Sequence, residues 1–210
     1  MKLLIIGAGG HGKVAADCAA KMQKYSEIFF IDELFPQVQK SGPWEIVGNM
    51  AGLNSLVDQN TEVFVAIGSN ATRQRVSEEL ARLGNIPLAT LIHPKTVLAD
   101  HVTIGEGTLV CAGAIINIST TIGKGCIINT ASSIDHDNSI GDYVHISVGA
   151  RLAGTVEVGS QSFVCISATV ANNIKIGNGV TVGAGAVVIR DVSNYQTVVG
   201  VPARPIKEVD

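Results

Sequence analysis

The sequence predicts a small α/β domain of Rossmann-like βαβ character, followed by a parallel β-helix made of hexapeptide repeats. An unbroken six-residue period through the C-terminal half carries the second part, and a glycine-rich turn between an N-terminal strand and helix carries the first. Composition agrees, because 23 glycines and 4% aromatics in 210 residues call for a core of small and branched side chains rather than rings.

Every sixth residue from Ile92 to Val188 is Ile, Leu or Val. The next position is mostly small, as at Gly105, Gly123, Gly141, Ser147, Ala153, Gly159, Gly177 and Gly183, and the fifth is small or β-branched, as at Thr108, Ala114, Thr120, Cys126, Ser132 and Ala150. Neither a helix nor a plain alternating strand has this period. It is the signature of three short strands forming one triangular coil, with the first and fifth positions turned into a narrow core. Seventeen hexads make about five to six coils, a prism about 25 Å tall at the usual strand spacing. Residues eighteen apart then lie one above another.

Before the repeat, the apolar strand at residues 3–6 runs into Gly7-Ala8-Gly9-Gly10-His11-Gly12 and a helix-compatible stretch at 14–22. Such a turn brings bare backbone N–H groups and a helix N-terminus to phosphate oxygens. A second strand, 28–31, ends at Asp32 and Glu33, whose carboxylates can accept hydrogen bonds from a ribose or a base. A third, 63–67, ends at Gly68-Ser69-Asn70, with Asn70 as the expected N-cap of a helix through Leu83. The fingerprint alone points to NAD, but roughly 90 residues hold one mononucleotide half rather than two, so half a site fits a nucleotide-sugar diphosphate better. The expected division is a nucleotide-sugar-binding domain at 1–88 and a solenoid with a C-terminal cap at 89–210.

Charge excludes some partners. With 15 basic and 18 acidic residues and a net charge of -3, the chain has no footprint for nucleic acid or an anionic membrane. The opening apolar run stops at Gly7 and no membrane-length stretch follows, so the protein reads as cytoplasmic. Cys18, Cys111, Cys126 and Cys165 share no metal-knot spacing and read as buried fillers.

The solenoid's densest polar run is residues 129–138, followed by His145. His136 is third in its hexad and His145 sixth in the next, so both point outward. A neutral imidazole suits the removal of a proton from an attacking amine at cellular pH, and an adjacent carboxylate fixes its tautomer. Asp137 follows His136 directly and Asp135, on the other side, is a rival for that role. By the eighteen-residue rule Gly154 sits over His136, opening a slot for a thin acyl arm, and Ser119 stacks against Asp137, where its hydroxyl can orient the carboxylate. His93 and His101 near the first coil read as structural.

The glycine-His-glycine turn, the acidic strand end, the Ala66-Ile67-Gly68-Ser69-Asn70 stretch and the solenoid together resemble the NeuD/PglD-like sugar acetyltransferases over nearly the whole chain. The resemblance implies a left-handed coil, acetyl-CoA as acyl donor, a homotrimer with donor sites between neighbours, and a UDP-linked amino sugar acetylated at its 4-amino group. It further implies that Gly9, Gly10 and His11 line the diphosphate, with Gly68 nearby, and that Asp32 and Glu33 meet the uridine end. The family's base histidine, following acidic residue and second histidine nine positions on fall on His136, Asp137 and His145, although the amino-sugar members carry Glu in the acidic slot. His145, Gly154, Ile166 and Gly183 are the implied donor contacts, and Arg190 and Arg204 are further candidates for CoA phosphates. No metal is implied. Sialic acid O-acetylation, a zinc γ-type carbonic anhydrase on the same fold and a non-catalytic scaffold are the competing readings.

Overall fold

The computed structural model describes residues 1–84 and 86–206, and its contacts divide the chain into two compact units, Met1–Pro94 and Lys95–Asp210. The first unit is built on β1 (Lys2–Ile6), α1 (Gly10–Lys21), β2 (Glu27–Ile31), β3 (Lys40–Ser41), β4 (Trp44–Gly48), β5 (Thr61–Val65) and α2 (Asn70–Leu83). The sheet order is β3-β4-β2-β1-β5. All neighbours are parallel except β3 with β4, so the C-terminal ends of β1, β2 and β5 share one rim, where such sheets take ligands. Leu4, Ile6, Ile31, Val63, Val65, Val76 and Leu80 form the core between sheet and α2.

Two glycines in the first turn are required by geometry. Gly7 has φ +100, and a Cβ on Gly12 would lie 2.0 Å from the Gly7 carbonyl oxygen, so α1 can start against β1 only with hydrogen at position 12. The N-cap of α2 is Ser69, whose Oγ accepts from the Thr72 N–H at 3.4 Å. Asn70, the expected cap, instead accepts at its Oδ1 from Arg73 Nη2 at 2.8 Å. The reason is local: Ser69 holds extended backbone while Asn70 is already in the first turn.

In the second unit, two-residue strands stack in parallel at eighteen-residue steps, Ile116 against Ile134 and Ile134 against Leu152, forming three parallel sheets. The apolar column is buried from Val110 through Val188, each such side chain contributing about 1.5–3 kcal/mol. Leu98 departs from the expected column and is exposed; its strand pairs with Ile115–Ile116 on one side only. At one corner, side chains cap backbone N–H groups of the preceding coil: Asp142 takes Lys124 N–H, Ser160 takes Asp142 N–H and Asn178 takes Ser160 N–H. The tail folds back, Thr197–Val199 pairing antiparallel with Arg204–Pro205, which covers an edge otherwise open to pairing.

Every sixth residue from His101 to Gly185 has a positive φ. This left-handed residue turns each corner, and it is glycine at Gly107, Gly113, Gly125, Gly149, Gly179 and Gly185. Elsewhere a side chain accepts the strain, about 1 kcal/mol or more. Asp137 is one of these corner residues, with φ 58.

Candidate active site

His136 lies in the turn between strands Ser133–Ile134 and Ser139–Ile140. Because Asp137 occupies the left-handed corner, its carboxylate turns back toward the preceding side chain, and Oδ2 sits 2.8 Å from His136 Nδ1. A carboxylate there accepts from Nδ1–H and leaves the Nε2 lone pair for chemistry. Asp135 is engaged differently: its Oδ1 accepts the His136 backbone N–H at 2.9 Å and Asn117 Nδ2 at 2.8 Å. Of the two carboxylates, Asp137 therefore meets the His136 ring and Asp135 meets its backbone. The Asp137 hydrogen bond holds the His136 pKa above its ordinary value, aided by the charges of Asp135 and Asp137. Ser119 makes no hydrogen bond to Asp137 among the described residues, so the orienting role expected of it is absent.

Gly154 lies over His136 as the stacking rule requires, but the space is filled. A Cβ at Gly154 would stand 2.5 Å from both Cε1 and Nε2 of the ring, so the imidazole itself occupies the slot expected for an acyl arm. His145 begins a strand of another sheet, His145–Ile146, and thus shares no face with His136 in one chain. Its ring stacks on Phe163 at 4.7 Å and 19°, and its Nε2 is 3.1 Å from Asn129 Nδ2. Asn129 Oδ1 accepts the Thr130 N–H, so the amide nitrogen faces the ring and the His145 proton is assigned to Nδ1. Ile166 is exposed, whereas a Cβ on Gly183 would meet Val199 Cγ1 at 2.7 Å, which ties that glycine to the packing of the tail.

In the first unit, a cavity of about 560 Å³ opens at the shared strand rim, lined by Asp32, Glu33, Met50, Thr72, Arg75 and Glu79 among others. That volume suits a nucleoside-sized ligand. Asp32 Oδ2 accepts the Ala8 N–H at 2.8 Å and Oδ1 the Leu34 N–H at 3.0 Å, so this carboxylate also pins the glycine turn. Glu33 Oε1 accepts the Met50 N–H at 3.3 Å. Gly9, Gly10, His11 and Gly68 do not line the cavity. His11 is held neutral, its pKa pushed down to about 4 by burial and then by the Arg73 cation. Arg73 is itself buried, donating to the carbonyls of Ile67 and Gly68 at 2.8 and 3.2 Å. A second groove, of about 440 Å³, lies on the solenoid but contains neither His136 nor His145.

Comparison with known proteins decides the family. A family model described as the PglD N-terminal domain matches residues 2–80. The acetyltransferase domain of PglB from Neisseria gonorrhoeae FA1090 is 37% identical, with a TM-score of 0.93 over 98% of this chain and 99% of that one. The chain belongs to the PglD-like sugar acetyltransferases. The same PglB domain has been solved in complex with acetyl coenzyme A, at 38% identity. PerB from Caulobacter crescentus, solved with CoA and GDP-perosamine, is 35% identical with a TM-score of 0.92 over 99% of this chain and 98% of that one. A curated relative, UDP-N-acetylbacillosamine N-acetyltransferase from Bacillus subtilis (strain 168), is 37% identical over 110 residues, 51% of this chain and 50% of that protein.

For this PglD-like chain, the cavity residues that the sequence did not single out are Met50 and, from α2, Thr72, Arg75, Val76 and Glu79. The four from α2 recur at helical spacing on one face, a signal that was present once α2 was placed. Among the described residues no group of three or more His, Cys, Asp or Glu is placed to hold a metal ion, and no helix is long and apolar enough to cross a membrane.

Proposed function

We propose that this chain moves the acetyl group of acetyl-CoA to the amine of a nucleotide-linked amino sugar, with a UDP-linked 4-amino sugar as the leading acceptor. The observation that carries the reading is the 2.8 Å contact between His136 Nδ1 and Asp137 Oδ2, which leaves Nε2 as a neutral base on a chain of this family. In the reaction, the amine nitrogen attacks the thioester carbonyl carbon while His136 Nε2 takes its proton. The carbon–sulfur bond then breaks, and the imidazolium returns a proton to the departing thiolate, giving amide and CoA thiol. Asp137 stabilises the imidazolium between these steps. The domain at 1–88 holds the acceptor's nucleotide, with Asp32, Glu33 and the cavity beside them at the base and ribose, and Gly9, Gly10, His11 and Gly68 toward the phosphates. His145, Gly154, Ile166 and Gly183 belong to the donor side.

The test is CoA release with acetyl-CoA and a panel of UDP- and GDP-linked 4-amino sugars, and with free sialic acid. Turnover of an amino sugar only when it is nucleotide-linked supports the reading; turnover of sialic acid alone would replace it. Asp137→Asn refines the test. Neutral His136 is the working form, so kcat rises with pH through its pKa, which Asp137 raises. Asparagine tolerates the left-handed corner, so this change removes charge without breaking the turn. Its acidic limb is expected to move to lower pH and its plateau kcat to fall about 10-fold, read from pH–rate profiles.

The active unit we propose is a homotrimer. Val97, Ile115, Ile118, Val148 and Ile166 are exposed apolar residues of the solenoid, and a closed cyclic assembly covers the same patch on every copy. With His136 and His145 on different faces, donor sites between neighbouring prisms bring the two together. Light scattering should give a mass near three times 21.8 kDa. Among the described residues Cys18, Cys111, Cys126 and Cys165 form no disulfide, which suits a reducing, cytoplasmic setting.

A further inference from the structure

Asn138 fills the fifth, inward position of its hexad and is 2% exposed. At three other coils this position carries a hydroxyl that staples one coil to the next: Thr108 Oγ1 donates to the Gly123 carbonyl at 3.0 Å, Thr120 Oγ1 to the Asp135 carbonyl at 2.9 Å and Ser162 Oγ to the Gly177 carbonyl at 2.7 Å. Asn138 Nδ2 makes the same kind of bond, to the Ala153 carbonyl at 3.0 Å. It also reaches the Asp135 carbonyl at 2.7 Å, in the way Ser132 Oγ reaches Asn129 within its own coil at 2.8 Å. The contact that those hydroxyls do not reproduce is the one from Nδ2 to the His136 carbonyl at 3.1 Å, where the two amide hydrogens are shared among three carbonyls.

That carbonyl belongs to the peptide joining His136 to Asp137. Its other partner, Thr155 N–H at 2.9 Å, is the kind of bond every coil makes at its corner, as Asn173 N–H makes to Gly154 at 3.1 Å. Asn138 adds a second anchor to the one peptide that sets the angle between imidazole and carboxylate. The arrangement has a cost, because Asn138 Oδ1 is buried with no hydrogen-bond partner among the described residues, and such an orphan is destabilising. Turning the amide over would set Oδ1 against three carbonyl oxygens, so its orientation is fixed. A threonine would staple the coils without an orphan, yet the chain carries an amide at the coil bearing the histidine.

We infer that Asn138 is a positioning residue for His136, holding the 136–137 peptide so that the Asp137 carboxylate meets Nδ1. This rests on the reading of His136 as the general base. Asn138→Thr keeps a side chain the position accepts at Thr108 and Thr120 and keeps a donor for the Ala153 carbonyl, but loses the bond to His136. The expected result is a fall in kcat of about 10-fold, with KM for both substrates within about 2-fold. The acidic limb of kcat should also move to lower pH as His136 loosens from Asp137, the carboxylates facing it being Asp135 and Asp137. Placed on His136→Ala, the same change should cause no further loss, which a general structural defect would not reproduce. If Asn138→Thr does not fold, Asn138→Ala takes its place under the same criteria, since the position accepts Ala114 and Ala150. A folded variant with unchanged kcat and pH limb overturns the inference while His136→Ala remains inactive; turnover retained by His136→Ala overturns the base assignment instead.

Discussion

His136→Ala is expected to lower kcat by about 10² to 10⁴, the range lost with a general base, while the KM values and the thermal unfolding midpoint change little. The separation follows from where the residue sits. Its side chain points outward, its backbone N–H and carbonyl keep their partners Asp135 and Thr155 whatever side chain is present, and the apolar column beneath it runs through Ile134 and Ile140. Removal of the ring empties the space over Gly154 without opening a cavity in the core. Steady-state kinetics with circular dichroism checks the result, and a folded variant with near-normal turnover would transfer the base to another group.

The period of the solenoid was readable because geometry allows few residues at its inward column. Each coil must put a branched aliphatic at the same place, so Ile116, Ile122, Ile128 and Ile134 leave a regular trace. The left-handed corner column left none that composition could reveal. It accepts Gly, Ala, Ser, Thr, Asp, Asn, Gln, Tyr and His alike, as at Gly125, Ala131, Asp137 and Tyr143, because the corner is set by backbone dihedrals whose strain is small compared with the stacking around it. The position of Asp137 in that column is what aims its carboxylate, and sequence order favoured it while leaving Asp135 as a rival. One signal could have separated them: Asn117 lies eighteen residues before Asp135, so the stacking rule pairs them, and Asn117 Nδ2 does hold that carboxylate. The strands β3 and β4 were not read from the sequence, since Lys40–Ser41 has two residues and Trp44–Gly48 breaks its apolar residues with Glu45. In the first unit the rim of β1, β2 and β5 was legible from strand ends. Its side-chain lining was not, because Thr72, Arg75 and Glu79 enter from a helix face that only tertiary packing turns toward the rim.

Gly154→Val is expected to lower kcat by about 10²-fold or more, as misplacement of a reacting group by about 1 Å does. Sequence stacking alone pointed to an open slot and hence to a rise in KM for acetyl-CoA; the position of the ring moves the expected effect to the chemical step. A Cβ at residue 154 would stand 2.5 Å from Cε1 and Nε2 of His136, far inside the separation of about 3.5 Å at which non-bonded carbons rest. Of the two groups, the imidazole is the one free to yield, since the backbone at 154 is held by Asn173 N–H on its carbonyl and by its place in the coil. Swinging the ring away breaks the 2.8 Å contact between Nδ1 and Asp137, so the acidic limb of the pH–rate profile should fall back toward that of an ordinary histidine. Gly154→Ala introduces the same first carbon without the branches and should show the same pH displacement with a smaller loss of kcat. Kinetics across pH, with thermal unfolding to confirm a folded solenoid, reads both effects. Normal kcat in folded Gly154→Val would mean that the imidazole does not rest on Gly154 in the working enzyme. A rise confined to the KM for acetyl-CoA would return the slot to the acyl donor.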